Sequence, residues 1–301
     1  MNISTLLVVV LVLNVGVSAG RAAAPFFKPN DVVAFVGSED AAAAAEFGQL
    51  ELRLTRAWPD YRIKFRSLAW EGDTVFQQVR DLNYPALEQQ LDDAGATVVI
   101  AQFGQIESMA GDARVSDFVA AFETLIAQLS GGGKRKVVLQ APTPVPADSP
   151  AAARFKSLPA YTAAIREIAQ RKELLVVMPA DAAKLTLEGY RDGLHLNEAG
   201  HAAIAAQTAR LLGVDHGAGQ LLRKDESTLA GMIQIKNRLW FHYVRPQNWA
   251  FLNGDRTVQP SSRDHVDPEK RWFPEEMKGW LPLIAMQEDE IWKFARGLGT
   301  K

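Results

Sequence analysis

The sequence predicts an α/β fold in which a parallel sheet of five strands is covered by helices on both faces. Five short apolar runs alternate with segments whose apolar residues recur at helical spacing, and the first run, residues 32–36, is apolar throughout. Continuous apolar runs are typical of strands buried on both sides. Strand–helix alternation favours right-handed crossovers between parallel strands. The predicted strands are 32–36, 63–68, 97–103, 137–141 and 174–178.

Helices are predicted between these strands. The first follows Gly37 and Ser38 and ends before Pro59, and weaker helical segments are predicted near 75–94. A third helix is predicted from an N-cap at Ser116, with the glycines from residue 131 ending it. Two more carry the following apolar residues at helical spacing: Tyr161, Ile165 and Ile168 in one, and Ile204, Thr208, Leu211 and Leu212 in the other.

Composition excludes several function classes. The chain of 301 residues has 33 basic and 35 acidic side chains, so its net charge of −2 argues against nucleic acid or an anionic membrane as a partner. It has no Cys, which excludes disulfides, thiol catalysis and Cys-based zinc sites.

The two ends of the chain differ from the middle. Residues 1–24 read as a signal peptide, because the apolar run 6–13 is too short to span a bilayer and small-x-small patterns follow it. An uncleaved anchor is the alternative. We expect export to the periplasm or the extracellular space, and no membrane contact beyond this segment. Residues 216–301 are predicted to form an aromatic-rich, irregular or helical extension that packs on the domain 25–215 and ends in a helix near 281–295.

The clearest chemical motif is an Asp three residues ahead of a His, just before a predicted helix. This spacing lets one short loop hold the Asp192 carboxylate against the His195 imidazole, which fixes the tautomer and the orientation of the ring. The alternative is structural, since Asp-Gly is a common turn pair. In parallel sheets chemistry gathers at the carboxyl ends of the strands, so the loops after the first three strands are the places to search for partners.

The block from Asp192 through His195 to Gly200, together with Gly72 in the loop 70–75, resembles the SGNH/GDSL hydrolase superfamily. The resemblance covers residues 31–213. It implies a flavodoxin-like three-layer α/β/α sandwich, ester hydrolysis without a cofactor, and an oxyanion donor at the Gly72 amide. The whole chain is most similar to exported planctomycete-type members that carry a C-terminal extension.

Two positions depart from the family pattern. Glu39 stands where the family has its nucleophilic serine, and Ile106 stands where it has an oxyanion-hole asparagine. Ser38 is then the only hydroxyl on the nucleophile turn. Either the turn shifts by one residue and Ser38 meets His195, or Ser38 is the N-cap of the first helix, with Glu39 and Asp40 at its positive end.

Two functions follow from these residues. The first is an ester hydrolase acting on acyl or acetyl esters, including those on carbohydrate. The second is a pseudohydrolase that binds a carbohydrate or another small ligand in the same cleft. The predicted catalytic residues are His195, Asp192, Ser38 and Gly72, and the predicted binding residues are Glu39, Glu107, Gln105, Arg245 and Asn248.

A metal site remains an alternative to the serine mechanism. Carboxylates and one imidazole at the same sheet edge are able to hold a divalent cation, but no ligand spacing marks such a site, so no metal is assigned. The extension offers a further choice, because its aromatic residues either pack, form a platform for sugar rings or close over the cleft.

Overall fold

The computed structural model describes residues 26–179, 186–214 and 223–298. The predicted signal segment and the predicted boundary between residues 215 and 216 therefore lie outside the described residues. In the described part the sheet has five parallel strands in the order β2-β1-β3-β4-β5. These strands are β1 Val32–Gly37, β2 Lys64–Ser67, β3 Val98–Gln102, β4 Lys136–Gln140 and β5 Leu175–Val177. All five predicted strands are confirmed, with each end within one residue of the prediction.

Helices cover both faces of the sheet and make the three layers of the predicted flavodoxin-like sandwich. They are α1 Glu39–Phe47, α2 Gln49–Ala57, α3 Leu87–Asp93, α4 Val115–Ser130, α5 Leu158–Arg171 and α6 Glu198–Leu211. On β3, Val99 and Ala101 face the core beneath α4 and α5, whereas Val98 and Ile100 face the core beneath α2 and α6. Burial on both faces explains why the runs of the central strands are apolar throughout.

Three predicted helix positions need correction. The first predicted helix is two helices, because Gly48 takes a left-handed φ of 62° and separates α1 from α2. Within 75–94 only α3 is an α-helix. The helix α4 begins at Val115 and its N-cap is Arg114, so Ser116 lies inside the first turn. The residue at which a helix begins or ends depends on the backbone geometry there. Side-chain preferences make some positions more favourable but do not fix them.

The extension is more helical than predicted. It contains α7 Arg223–Val244, α8 Trp249–Leu252, α9 Trp272–Lys278 and α10 Trp280–Leu298. The aromatic-rich segment after residue 236 is mostly the second half of α7, and the predicted final helix is confirmed and longer. Across the three described ranges, no helix combines the length and the apolar character needed to cross a membrane.

Helix α7 is joined to the edge strand β2 by buried polar contacts. Lys236 is fully buried and its Nζ donates to Glu51 Oε2 at 2.8 Å and to the Phe65 carbonyl at 3.3 Å. Trp240 Nε1 donates to the Ser67 carbonyl at 2.8 Å. Burial lowers the pKa of Lys236 and raises the pKa of Glu51, and each partner opposes the shift of the other. The charged form of Lys236 is therefore stabilised by Glu51, and the charged form of Glu51 by Lys236.

A second buried ion pair adds α10 to the same junction. The guanidinium of Arg66 on β2 lies 2.5 Å from Glu288 and 4.7 Å from the centre of the Trp240 ring. Both charged side chains are almost completely buried. The helices α7 and α10 also pack against each other, so α7, α10 and β2 form one unit.

Removing one member of the buried Lys236–Glu51 pair should destabilise the fold strongly. We expect Lys236→Met to lower the free energy of unfolding by about 3–5 kcal/mol, because Glu51 is left buried without its cation. The double variant Lys236→Met/Glu51→Leu should recover part of that loss, since both desolvated charges are gone. Urea denaturation followed by tryptophan fluorescence measures both values.

The matched control is Arg62→Met, at an exposed pair in which Arg62 lies 3.4 Å from Asp289. It should change stability by less than about 1 kcal/mol. Equal losses for Lys236→Met and Arg62→Met would show that the buried pair does not hold α7 against the domain.

Candidate active site

Hydrogen bonds join the loops that follow β1, β2 and β3 at one edge of the sheet. The Trp70 amide donates to the Gly37 carbonyl at 3.1 Å. The two carboxylate oxygens of Glu107 accept from the amides of Val75 and Gly104, each at 2.8 Å. Glu107 is buried, and burial raises its pKa, an effect that backbone hydrogen bonds oppose. Glu107 was predicted to bind ligand, but its oxygens are used to hold the loops together.

The turn between β1 and α1 leaves no freedom at Gly37. This residue has a φ of 148°, and a Cβ atom there would lie 2.2 Å from the Gln102 carbonyl oxygen on β3. A side chain is therefore impossible without moving the sheet. Residue 37 of this turn must therefore be glycine.

The Ser38 side chain is directed into the protein, and its hydroxyl makes no hydrogen bond with His195. Its side chain is buried, and its hydroxyl has no hydrogen-bond partner among the described residues. Ser38 occupies the N-cap position of α1, but the side chain makes no capping hydrogen bond. The structure therefore supports neither predicted role of the hydroxyl, because a group buried in this way reaches neither the imidazole nor the free amides of α1.

The predicted carboxylate–imidazole pair is formed. His195 Nδ1 lies 2.6 Å from Asp192 Oδ2, and Asp192 Oδ1 accepts from the amides of Leu194 and His195 at 3.0 and 2.8 Å. Desolvation raises the pKa of Asp192, but hydrogen bonds from the His195 ring and from both amides outweigh it and hold the pKa well below its usual range. The ionised Asp192 accepts a hydrogen bond from Nδ1–H, which leaves the lone pair on Nε2 in the neutral ring.

Several contacts hold this loop in place. Gly193 has a φ of 80°, which suits glycine in the turn. The Tyr190 hydroxyl donates to the Pro144 carbonyl in the loop after β4. The Asn197 side chain caps α6 by accepting from the Gly200 amide at 3.1 Å. The carboxylate and the imidazole are thus carried by a rigid turn between β5 and α6.

Glu39 is the residue that faces His195. Its Oε1 lies 3.6 Å from His195 Nε2 and 3.8 Å from Arg191 Nη2. The first distance is too long for a direct hydrogen bond but short enough for strong electrostatic coupling once the ring is protonated. The residue in the nucleophile position thus meets the imidazole as a carboxylate.

Asp40 lies behind the site, and its burial was not predicted from the sequence. It is buried, and burial raises its pKa from 3.8 to about 6. The Thr143 hydroxyl, the charge of His195 and the Leu196 amide act in the opposite direction. In the sequence Asp40 looks like an acidic residue of the first helical turn, and nothing there distinguishes it from an exposed one.

The predicted oxyanion elements are incomplete. Gly72 is exposed with a φ of 84°, so glycine suits its backbone and its amide belongs to a loop beside the cleft. Ile106 has no side-chain donor. The Gln105 side-chain nitrogen is buried and has no hydrogen-bond partner within the described ranges. Asp73 is paired with Arg80 at 2.7 and 2.8 Å and stabilises the loop.

A cleft of about 510 Å³ lies between α1 and α7, with Glu39 and Arg191 in its lining. Its volume is typical of small-molecule sites. Arg245 is part of the wall, but its guanidinium donates to Glu71 at 2.8 Å and to the Ala69 carbonyl. Asn248 is exposed at the start of α8 and is not part of the lining. Of the two predicted binding residues of the extension, only Arg245 reaches the cleft.

No group of three or more His, Asp or Glu side chains in the described ranges is arranged to hold a metal ion. Each carboxylate considered for such a site has a different partner. Glu107 binds backbone amides, Asp73 binds Arg80, and Asp192 binds His195.

Comparison with known proteins identifies related folds. The GDSL-like Lipase/Acylhydrolase family model matches residues 32–203. A gut microbial diltiazem-metabolizing enzyme has a TM-score of 0.62 at 10% identity, over 89% of this chain and 96% of its own. A catalytic mutant of Axe2, an acetylxylan esterase from Geobacillus stearothermophilus, has a TM-score of 0.50 at 13% identity, over 65% and 99%. At such identities these structures show the fold. No curated protein was found to match.

The first of these structures also bears on the extension. A likeness over 89% of the chain is longer than the family-matched segment and includes helices after residue 223. Sheet domain and extension therefore occur together in another solved fold.

The buried carboxyl of Asp40 should make stability depend on pH. A raised pKa means that Asp40 contributes fully to stability below pH 3.8 and that this contribution is lost as the pH rises through about 6. Asp40→Asn should therefore gain stability relative to the wild type between pH 4 and pH 8, by about 3 kcal/mol at most. Urea denaturation at both pH values measures the difference.

The control for this experiment is Asp60→Asn, at a side chain that is 82% exposed. It should follow the wild type at both pH values. If Asp40→Asn also follows the wild type at both pH values, the burial of the Asp40 carboxyl group seen in the structure is contradicted.

Proposed function

We propose that this chain, which belongs to the GDSL-like lipase/acylhydrolase family, is an ester hydrolase in which His195 activates a water molecule instead of a serine hydroxyl. One observation carries the proposal. The Asp192–His195 hydrogen bond of 2.6 Å is intact, and Nε2 faces the Glu39 carboxylate at 3.6 Å beside the cleft. A base is present and oriented, whereas the only hydroxyl on the turn is buried.

The reaction proceeds by general base catalysis. Nε2 takes a proton from water while the water oxygen attacks the carbonyl carbon of the ester. The Glu39 carboxylate stabilises the imidazolium that forms, as Asp192 does from the Nδ1 side. The tetrahedral intermediate then loses the alcohol, which leaves with the proton from Nε2. The products are a carboxylic acid and an alcohol, and His195 returns to its neutral form.

The oxyanion of the intermediate is poorly stabilised in this site. The Gly72 amide is the donor that the family pattern supports, and Ile106 supplies none. Loss of one donor typically lowers the rate by about 100- to 1,000-fold. We therefore expect slow turnover, with small activated esters hydrolysed more readily than unactivated ones.

The substrate class proposed is an acyl or acetyl ester outside the cytoplasm. The signal-like residues 1–24 support export. The name of one structural neighbour, an acetylxylan esterase, agrees with acetyl esters on carbohydrate.

A second candidate function is ligand binding without turnover. It is favoured by the same two losses, the buried Ser38 hydroxyl and the missing donor at Ile106, because both affect the first chemical step. A pseudohydrolase would keep the cleft and the Asp192–His195 pair as a polar binding site.

Substitutions of His195 and Ser38 separate the two mechanisms. His195→Ala should lower kcat/KM for p-nitrophenyl acetate by about 100- to 10,000-fold, because the general base is lost. Ser38→Ala should stay within about twofold of the wild type, since its hydroxyl takes no part. Steady-state release of p-nitrophenol measures both.

Loss of activity in Ser38→Ala, with unchanged thermal unfolding, would contradict the water mechanism. A wild type no faster than His195→Ala would favour the pseudohydrolase.

Glu39→Ser should give the chain the family's nucleophile. We expect an initial burst of p-nitrophenol of about one equivalent, because a hydroxyl at this position is acylated before water releases the acid. The wild type should show no burst. Stopped-flow absorbance records the first turnover.

Glu39→Ala is the matched control and should also show no burst. If Glu39→Ser behaves like Glu39→Ala, residue 39 does not present its side chain to His195 in the way the structure shows.

A further inference from the structure

One face of α7 forms a continuous wall of the cleft. Asn237, Trp240 and Val244 line the cleft, and so do four residues at intervals of four, three and four: Gln234, Arg238 and Phe241 of this helix and Arg245 directly after its end. Such intervals place side chains on one face of a helix. We call these four residues the α7 stripe. The opposite wall is α1, which contributes two carboxylates, three alanines and one aromatic ring: Glu39, Ala42, Ala43, Ala45, Glu46 and Phe47.

The stripe is held rigidly by the neighbouring face of α7. Lys236 and Trp240 donate to backbone carbonyls of β2, and the Asn237 side-chain amide donates to the Ala45 carbonyl of α1 at 2.8 Å. Arg245 is bound to the loop that carries Gly72. Helices α1 and α7, which form the two walls of the cleft, are therefore joined by a hydrogen bond.

Three members of the stripe are available to a ligand. The Phe241 ring is 47% exposed where it lines the cleft, and its recorded neighbours are the Arg245 guanidinium at 5.2 Å and the His242 ring at 5.7 Å from its centre. Arg238 is exposed, and neither it nor Gln234 has a side-chain hydrogen bond or ion pair within the described ranges. The wall thus offers an apolar ring face between planar groups with several N–H donors.

This combination suits a polyhydroxylated ring. The C–H face of a sugar stacks on an aromatic ring, and its hydroxyls accept from Gln234 and Arg238 while donating to Glu46 on the opposite wall. A long acyl chain would instead bury these polar groups without partners, which is unfavourable. Alanine side chains on α1 leave room for the ring between the walls.

We propose that the α7 stripe is a carbohydrate-binding subsite and that it holds the alcohol part of the ester. The assignment to the alcohol part rests on the proposed hydrolase function. Carbohydrate binding itself does not, because none of Gln234, Arg238 and Phe241 takes part in the chemistry. The extension then supplies the specificity of the site, and the sheet domain supplies its reactive groups.

Binding of unreactive sugars tests the subsite independently of turnover. Isothermal titration of cellotriose, xylotriose and maltotriose into the full chain should show binding of at least one of them. Phe241→Ala should weaken that binding about two- to tenfold, through loss of ring stacking. Phe241→Tyr should keep it, and Arg238→Ala should weaken it. The control is Ile235→Ala, at a neighbouring α7 side chain that is 52% exposed and outside the cleft lining, and it should leave binding unchanged.

The outcomes separate this proposal from the hydrolase. Binding that depends on Phe241 in a chain without esterase activity would retain the subsite and remove the proposed function. With activity present, Phe241→Ala should raise KM for an acetylated trisaccharide, whereas Ile235→Ala should leave both this KM and the kcat for p-nitrophenyl acetate unchanged. The proposal is overturned if no trisaccharide binds, or if Phe241→Ala and Ile235→Ala weaken binding equally while both retain the wild-type thermal unfolding.

Discussion

The strand β2 lies at the edge of the sheet, and the way this edge is covered determines much of the molecule. An edge strand exposes backbone groups that need partners. Here the carbonyls of Phe65 and Ser67 accept from Lys236 and Trp240 of α7. Burying Lys236 is tolerable only because Glu51 lies 2.8 Å away. The extension is therefore attached through desolvated charges whose separation is costly, and not through apolar packing alone.

The cleft is a consequence of that attachment. One face of α7 is held against β2 and is bonded to α1 through Asn237. The adjacent face of α7 and the exposed face of α1 then enclose the cleft of about 510 Å³. Arg245 continues the connection by bonding Glu71 in the loop after β2. The packing of the extension thus determines the shape of the cleft. We expect a substitution at the contact between α7 and β2 to change that shape.

The arrangement of the turn between β1 and α1 follows from a second constraint, at Gly37. A Cβ atom at this position would lie 2.2 Å from the Gln102 carbonyl oxygen of β3. A shift of the turn by one residue would place Val36 or Ser38 there, so the shift is excluded. Ser38 is directed inward, Glu39 faces His195 at 3.6 Å, and Asp40 is buried behind them. Three consecutive residues thus have three different environments, and the one that meets the imidazole is a carboxylate.

The sequence alone determined the features whose interactions are local. Apolar runs located all five strands within one residue, and the Asp192–His195 pair was predictable because its hydrogen bonds join residues two or three positions apart. Only the tertiary structure decided that Ser38 is buried, that Asp40 is desolvated, and that Lys236 finds Glu51, 185 positions earlier in the chain. It also decided that α7 forms a wall of the cleft. Periodicity within a segment reports which of its faces is apolar, whereas the direction and burial of a single polar side chain depend on elements brought next to it from elsewhere in the chain.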